Sequence, residues 1–176
     1  KHQEWLKKKF KNVEAHTINL DKLFDSFSST LNKFDNEHGF ANSRARLRMS
    51  TLYQVAAFNS GIVVGTGNKV EDFGVGFYTK YGDGGVDISP IADCTKTQVW
   101  EMGKHLGISK EIINAEPTDG LWDDGRSDVV QLGMTYQDLE KAMLNNNDPN
   151  YEKYLEIRKK NLHKMEPIPV CKFNDD

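Results

Sequence analysis

Ile62, Val63 and Val64 form a wholly apolar run bracketed by glycine, with Gly61 before it and Gly65-Thr66-Gly67 behind it. A strand with one wet face alternates apolar and polar residues. A run that is apolar at every position fits a strand covered on both faces, as in a parallel sheet between helices. The flanking sequence supplies such helices. Residues 42–59 set Leu47, Leu52, Val55, Ala56 and Phe58 at helical spacing, with Asn42 or Ser43 as cap and Gly61 as stop. Helices are also expected over residues 3–11, 21–31, 96–106, 109–114, 136–144 and 151–162. Residues 13–20 alternate in character and read as a further strand, residues 34–40 as a loop, and residues 120–125 as a mobile polar loop. The pattern is α/β, a parallel sheet flanked by helices, in one domain over residues 1–176.

Composition excludes several classes. Apolar residues make up 38% of the chain and charged residues 28%, a balance that suits a packed domain and not a disordered one. The net charge of −3 gives no global field for nucleic acid, so any anion site must be local. Cys94 and Cys171 form no CxxC pair and read as free thiols in a reducing cytoplasm. No apolar run is long enough to span a membrane, and the first residues carry no apolar leader. The chain begins without Met and is expected to be a trimmed or partial product.

Four groups of residues can carry chemistry. Arg44, Arg46 and Arg48 fall in the first two turns of the expected 42–59 helix, where cations oppose the helix dipole. Arg44 and Arg48 share a face, either as an anion-binding row or as a solvated, salt-bridged one. Gly65-Thr66-Gly67 lets a ligand approach the backbone behind a buried strand, and Glu71 offers a hard oxygen of the kind Mg²⁺ prefers. The stretch from Phe77 to Asp87 packs aromatics, glycines, Lys80, Asp83 and Asp87 into eleven positions. Such a loop can stack on a ring and hold hydroxyls or an amine. Glu116-Pro117-Thr118 and Ser127-Asp128 flank the 120–125 loop, which reads as a lid or as plain surface.

Phe77-Tyr78-Thr79-Lys80-Tyr81-Gly82-Asp83-Gly84-Gly85 resembles the NAD synthetase signature FFTKYGDGG. Arg44 to Met49 is similar to that family's arginine-rich helix start, and Gly65-Thr66 with Glu71 is similar to its GTxxxxE element. Asp87, Thr95-Lys96, Glu116-Pro117-Thr118, Ser127-Asp128 and His163-Lys164 follow in the family's order, so the resemblance spans roughly residues 13–173. It implies a Rossmann-like fold of the adenine-nucleotide ATP-pyrophosphatase type, working as a homodimer. It also implies amidation of deamido-NAD to NAD by ATP and ammonia through an adenylate. By resemblance, Thr66, Lys96, Thr118 and Arg48 would contact ATP and Glu71 would hold Mg²⁺. Deamido-NAD would meet Arg48, Tyr53, Phe77, Lys80, Asp87, His163 and Lys164. Asp83 and Lys96 would be catalytic, Asp83 assisting ammonia.

Three departures accompany the match. The family's SGGxDS phosphate loop, with its strand and helix, is absent, so the domain is expected to be N-terminally incomplete and inactive alone. Gly67-Asn68 stands where the family has Asp-His, and Val129 where it has an acidic residue. The residues do not decide between ammonia and glutamine as nitrogen donor. The missing loop also leaves open a non-catalytic nucleotide-binding or dimerisation fragment.

Overall fold

The structure is a computed structural model and describes residues 2–173. Its α-helices are α1 (His2–Lys9), α2 (Asp21–Thr30), α3 (Glu37–Phe58), α4 (Lys96–His105), α5 (Lys110–Ile113), α6 (Asp128–Leu132), α7 (Tyr136–Leu144) and α8 (Tyr151–Met165). A 3-10 turn covers Asn32–Phe34 and a π-helical segment covers Lys69–Val75. None of the helices is long and apolar enough to cross a membrane. Both cysteines are free thiols.

The expected helices form, with two differences that bear on the site. α3 starts at Glu37, capped by the Asn36 side chain, which accepts from the Gly39 amide at 2.7 Å. Part of the expected 34–40 loop is therefore its first turn, and neither Asn42 nor Ser43 is the cap. Arg44, Arg46 and Arg48 lie beyond the first turn, where the dipole effect has faded, so that argument for an anion row does not hold. α8 continues past residue 162 to Met165, which puts His163 and Lys164 in its last turn.

The expected sheet does not form as such. Among the described residues the only β-pairing is one parallel bridge, Val64 with Ile88. It is held by the Gly65 amide donating to the Ile88 carbonyl at 2.7 Å and the Asp87 amide donating to the Val63 carbonyl at 3.0 Å. Residues 13–20, expected as a strand, take no regular structure. Alternation indicates which side chains a strand would bury but supplies no neighbouring strand. Residues 13–19 make no backbone–backbone hydrogen bond among those described.

The core gathers where the π-helical segment meets α6, α7 and α8. Val70, Val75, Leu132, Tyr136, Leu139 and Ala142 are buried there together with Tyr154. Full burial of an aliphatic side chain such as Val70 or Leu139 is worth about 1.5–3 kcal/mol. On the other side α3 buries Ala41, Ala45 and Met49.

Candidate active site

Two elements that sequence periodicity does not reveal build the site. The first is the π-helical segment. The Asn68 side chain, 2% exposed, accepts from the amides of Val70 at 3.0 Å and Glu71 at 3.1 Å, so it caps the segment and fixes the backbone of Glu71. The segment ends at Gly76 in the left-handed region, φ 64°. α8 then closes its carbonyl end: Arg158 donates to the carbonyls of Phe73 and Gly74, Asn161 to that of Val75, and Lys164 to those of Gly76 and Tyr78. Desolvation lowers the Lys164 pKa, partly offset by the charge of Asp83.

Gly67, one of the departures, lies against Asp72. A Cβ built on Gly67 would lie 2.0 Å from Asp72 Oδ2, so the Asp72 carboxylate occupies the space a side chain at position 67 would need. Burial first, then the charges of Glu71 and Asp83, pushes the Asp72 pKa up to about 6.

Glu71 sits in a network of four residues. Lys96 Nζ donates to Glu71 Oε1 at 2.8 Å, and the two side chains keep only 18% and 15% exposure. The Tyr136 hydroxyl lies 2.5 Å from the same Oε1 and 2.7 Å from Asp128 Oδ2. Lys96 Nζ also stands 4.8 Å from the centre of the Tyr136 ring. A phenol has one proton for these two carboxylates, so the arrangement is satisfied when Asp128 carries a second. Burial raises the Asp128 pKa, which favours that form, against the lowering effect of its bond to Tyr136. Its other oxygen, Oδ1, is buried without a partner. Glu71 Oε2 enters none of the described hydrogen bonds and is the oxygen available to a hard cation, so the carboxylate fits a Mg²⁺ ligand.

The second element is the loop behind Thr118. Arg48 donates to the Gly120 carbonyl at 2.8 Å and Arg44 to the Leu121 carbonyl at 2.7 Å, with Asp123 3.1 Å from Arg44. Trp122 stacks on His38, and Arg126 packs over the Trp122 ring at 4.3 Å while facing Glu37 at 3.6 Å. The 119–126 loop is thus strapped along one face of α3, the i,i+4 face of Arg44 and Arg48. Arg46 points elsewhere and donates to the Lys80 carbonyl at 3.2 Å. Thr118 sits at the loop's base, its hydroxyl donating to the Arg126 carbonyl at 3.1 Å.

Between the loop and α3 lies a cavity of about 340 Å³, walled by Arg48, Thr66, Asp83, Val86, Asp119 and Leu121. The signature loop forms one side of it. Thr79, 3% exposed, donates to Asn42 of α3 at 2.7 Å, and its amide donates to Asp83 Oδ1 at 2.9 Å. Asp83 is exposed on the cavity wall, yet surrounding protein raises its pKa by desolvation, opposed by the Thr79 amide. Phe77 packs against the core. Lys80 Nζ donates to the His163 carbonyl at 2.7 Å, which brings together Lys80, His163 and Lys164. Asp87 accepts from the Val63 amide at 2.7 Å and from the Tyr53 hydroxyl at 3.2 Å, which joins Tyr53 to Asp87.

The sequence profile of the NAD synthase family matches residues 3–172. The chain belongs to the NAD synthase family. Among its relatives, the NH(3)-dependent NAD(+) synthetase of Thermoplasma volcanium is 37% identical over 86% of this chain and 64% of its own length. That of Carboxydothermus hydrogenoformans is 42% identical over 76% of this chain and 56% of its own length. The chain thus spans between about half and two thirds of the curated NAD synthetases it matches first. In structure it resembles the NMN synthetase of Francisella tularensis, with a TM-score of 0.87 and 31% identity over 97% of this chain and 71% of that one. It shares its fold with the NH3-dependent NAD synthetase of Campylobacter jejuni, with a TM-score of 0.69 and 23% identity over 92% of this chain and 66% of that one. The fold is therefore the Rossmann-like ATP-pyrophosphatase fold of NAD synthetases, here with one bridge where a parallel sheet was expected.

Tyr136 carries no motif in the sequence, although it bonds both Glu71 and Asp128. Asp128 stood out only as part of Ser127-Asp128 beside the loop, and Asn68 leaves a local signal, an Asn three residues before a Glu at a helix start.

Proposed function

We propose that the whole gene product amidates deamido-NAD to NAD, using ATP and ammonia. The observation that carries this reading is the family profile across residues 3–172, with relatives named NH(3)-dependent NAD(+) synthetases. Those names favour ammonia over glutamine as donor.

In the proposed reaction the substrate carboxylate attacks the α-phosphorus of ATP, and the bond to pyrophosphate breaks. Ammonia then attacks the carbonyl carbon of the adenylate, loses a proton and expels AMP. Adenylation is needed because a carboxylate is a poor electrophile with no good leaving group. Thr66 and Thr118 would contact ATP with Arg48, and Lys96 would leave Glu71 to neutralise phosphate charge. When bound at Glu71, Mg²⁺ would offset further charge on the same phosphates. Asp83, on the cavity wall, would receive ammonia. Lys80, Asp87, Tyr53, Phe77, His163 and Lys164 would hold the dinucleotide, and two copies would pair as a homodimer. In this reading the Val64–Ile88 bridge is the remnant of the family's parallel sheet.

A second reading concerns the acceptor. The structural likeness to an NMN synthetase, at a TM-score of 0.87, favours a mononucleotide acid in place of the dinucleotide. One assay separates them: kcat/KM for nicotinic acid mononucleotide against deamido-NAD, with ATP, Mg²⁺ and ammonia. Preference for the dinucleotide, with AMP and pyrophosphate released, is expected. Release of ADP and phosphate would overturn the adenylation mechanism.

A further inference from the structure

Tyr136 has no role in the resemblance, yet it occupies a singular place. The residue is 2% exposed, and its ring meets Trp100 edge-on, with centroids 6.1 Å apart. Packing therefore fixes its hydroxyl between Glu71 Oε1 at 2.5 Å and Asp128 Oδ2 at 2.7 Å. A buried phenol needs one hydrogen-bond partner. This one meets two carboxylates from different elements, the π-helical segment and the first residue of α6. Asp128 is itself tied to the base of the loop, its amide donating to the Pro117 carbonyl at 2.9 Å.

Building on the proposed function, we propose that Tyr136 is a positioning residue that holds Glu71 in place for a nucleotide-bound divalent cation. Glu71 Oε1 has two donors, Lys96 and Tyr136. In the proposed reaction Lys96 turns toward a phosphate oxygen, which weakens its hold on Glu71. Once it turns to the nucleotide, the phenol is the donor that keeps the carboxylate aimed. The same phenol joins Glu71 to Asp128, so the base of the loop and the proposed cation ligand meet at one hydroxyl. Groups that orient a metal ligand from behind typically contribute about 10–100-fold to metal affinity or activity.

The test uses the whole gene product with Mn²⁺ and ATP, reading bound Mn²⁺ by electron paramagnetic resonance. Tyr136→Phe keeps the ring and its packing but removes the hydroxyl. Mn²⁺ affinity should fall about tenfold or more while thermal melting shows a folded protein, and the Mg²⁺ concentration for half-maximal turnover should rise in parallel. A folded Tyr136→Phe protein with Mn²⁺ affinity within about twofold of wild type overturns the proposal. If that variant does not fold, Tyr136→Leu decides, since it also lacks the hydroxyl but fills the site with an apolar side chain: weaker Mn²⁺ binding supports the proposal, and unchanged binding overturns it. Wild-type protein that binds no Mn²⁺ with ATP overturns the functional reading as well, whereas an effect confined to the variants bears on Tyr136 alone.

Discussion

Asp72 illustrates how one residue settles its neighbour. Its carboxylate fills the space beside Gly67, and crowding raises its pKa from 3.8 to about 6, chiefly by desolvation. A carboxyl with a folded-state pKa above its unfolded value binds a proton more tightly in the folded protein. Stability therefore falls as pH rises from about 4 to about 6 and stays lowered above that range. Asp72→Asn should accordingly stabilise the fold near neutral pH. The expected gain is about 1–2 kcal/mol, less than the full linkage value because solvent still reaches the group. The gain should shrink as pH falls from about 6 to about 4 and vanish below about pH 3, where the wild-type carboxyl is protonated in both the folded and the unfolded state. Thermal melts of both proteins across that range provide the check, and a gain that persists at low pH would assign it to something other than charge.

At the scale of elements, the π-helical segment depends on its two ends. Gly76 has φ 64°, and a Cβ there would stand 2.7 Å from Asn161 Cβ of α8. Gly76→Ala should cost at least about 1–2 kcal/mol from the left-handed backbone alone, with the clash against α8 added, as read from denaturant unfolding. The loop on α3 depends on Arg44 in the same way. Arg44→Ala removes the Leu121 carbonyl bond and the Asp123 pair. Proteolysis within residues 119–126 should accelerate, while global stability changes by about 1 kcal/mol or less because the Asp123 partner is exposed. Equal cleavage rates in the two proteins would mean that Arg48, Trp122 and Arg126 hold the loop without Arg44.

For the whole molecule, the 176 residues contain no SGGxDS loop. Adenylation needs donors for the departing pyrophosphate, and losing even one preorganised donor costs about 10²-fold or more in rate. This chain alone should therefore form NAD at least about 10²-fold more slowly than the whole gene product under saturating ammonia. Comparable rates would place pyrophosphate binding on residues present here. Exposed Ile62, Val64, Leu52 and Phe58 mark the side where apolar surface remains uncovered and where association is expected.

Helices were legible in the sequence because a helix satisfies its own hydrogen bonds, so local spacing and caps nearly suffice. α2, α4 and α7 follow their apolar periodicity, and Thr95 with Gln98 closes a capping box at α4. The family was legible as well, since glycines and charged residues at fixed spacing leave a mark independent of packing. Strands were not, because a strand borrows its bonds from another segment: residues 13–20 have the alternation but no partner, and Val64 found Ile88. The π-helical turn at Glu71 depends on Asn161, Arg158 and Lys164 arriving from α8, and the space beside Gly67 is taken by the Asp72 carboxylate. The meeting of Glu71, Lys96, Asp128 and Tyr136 joins four segments with no common motif. Sequence by itself determined every α-helix but α6, the family and the chemical types at the site. Tertiary structure decided which carboxylate faces which donor, because hydrogen bonding and desolvation depend on distances that only packing sets.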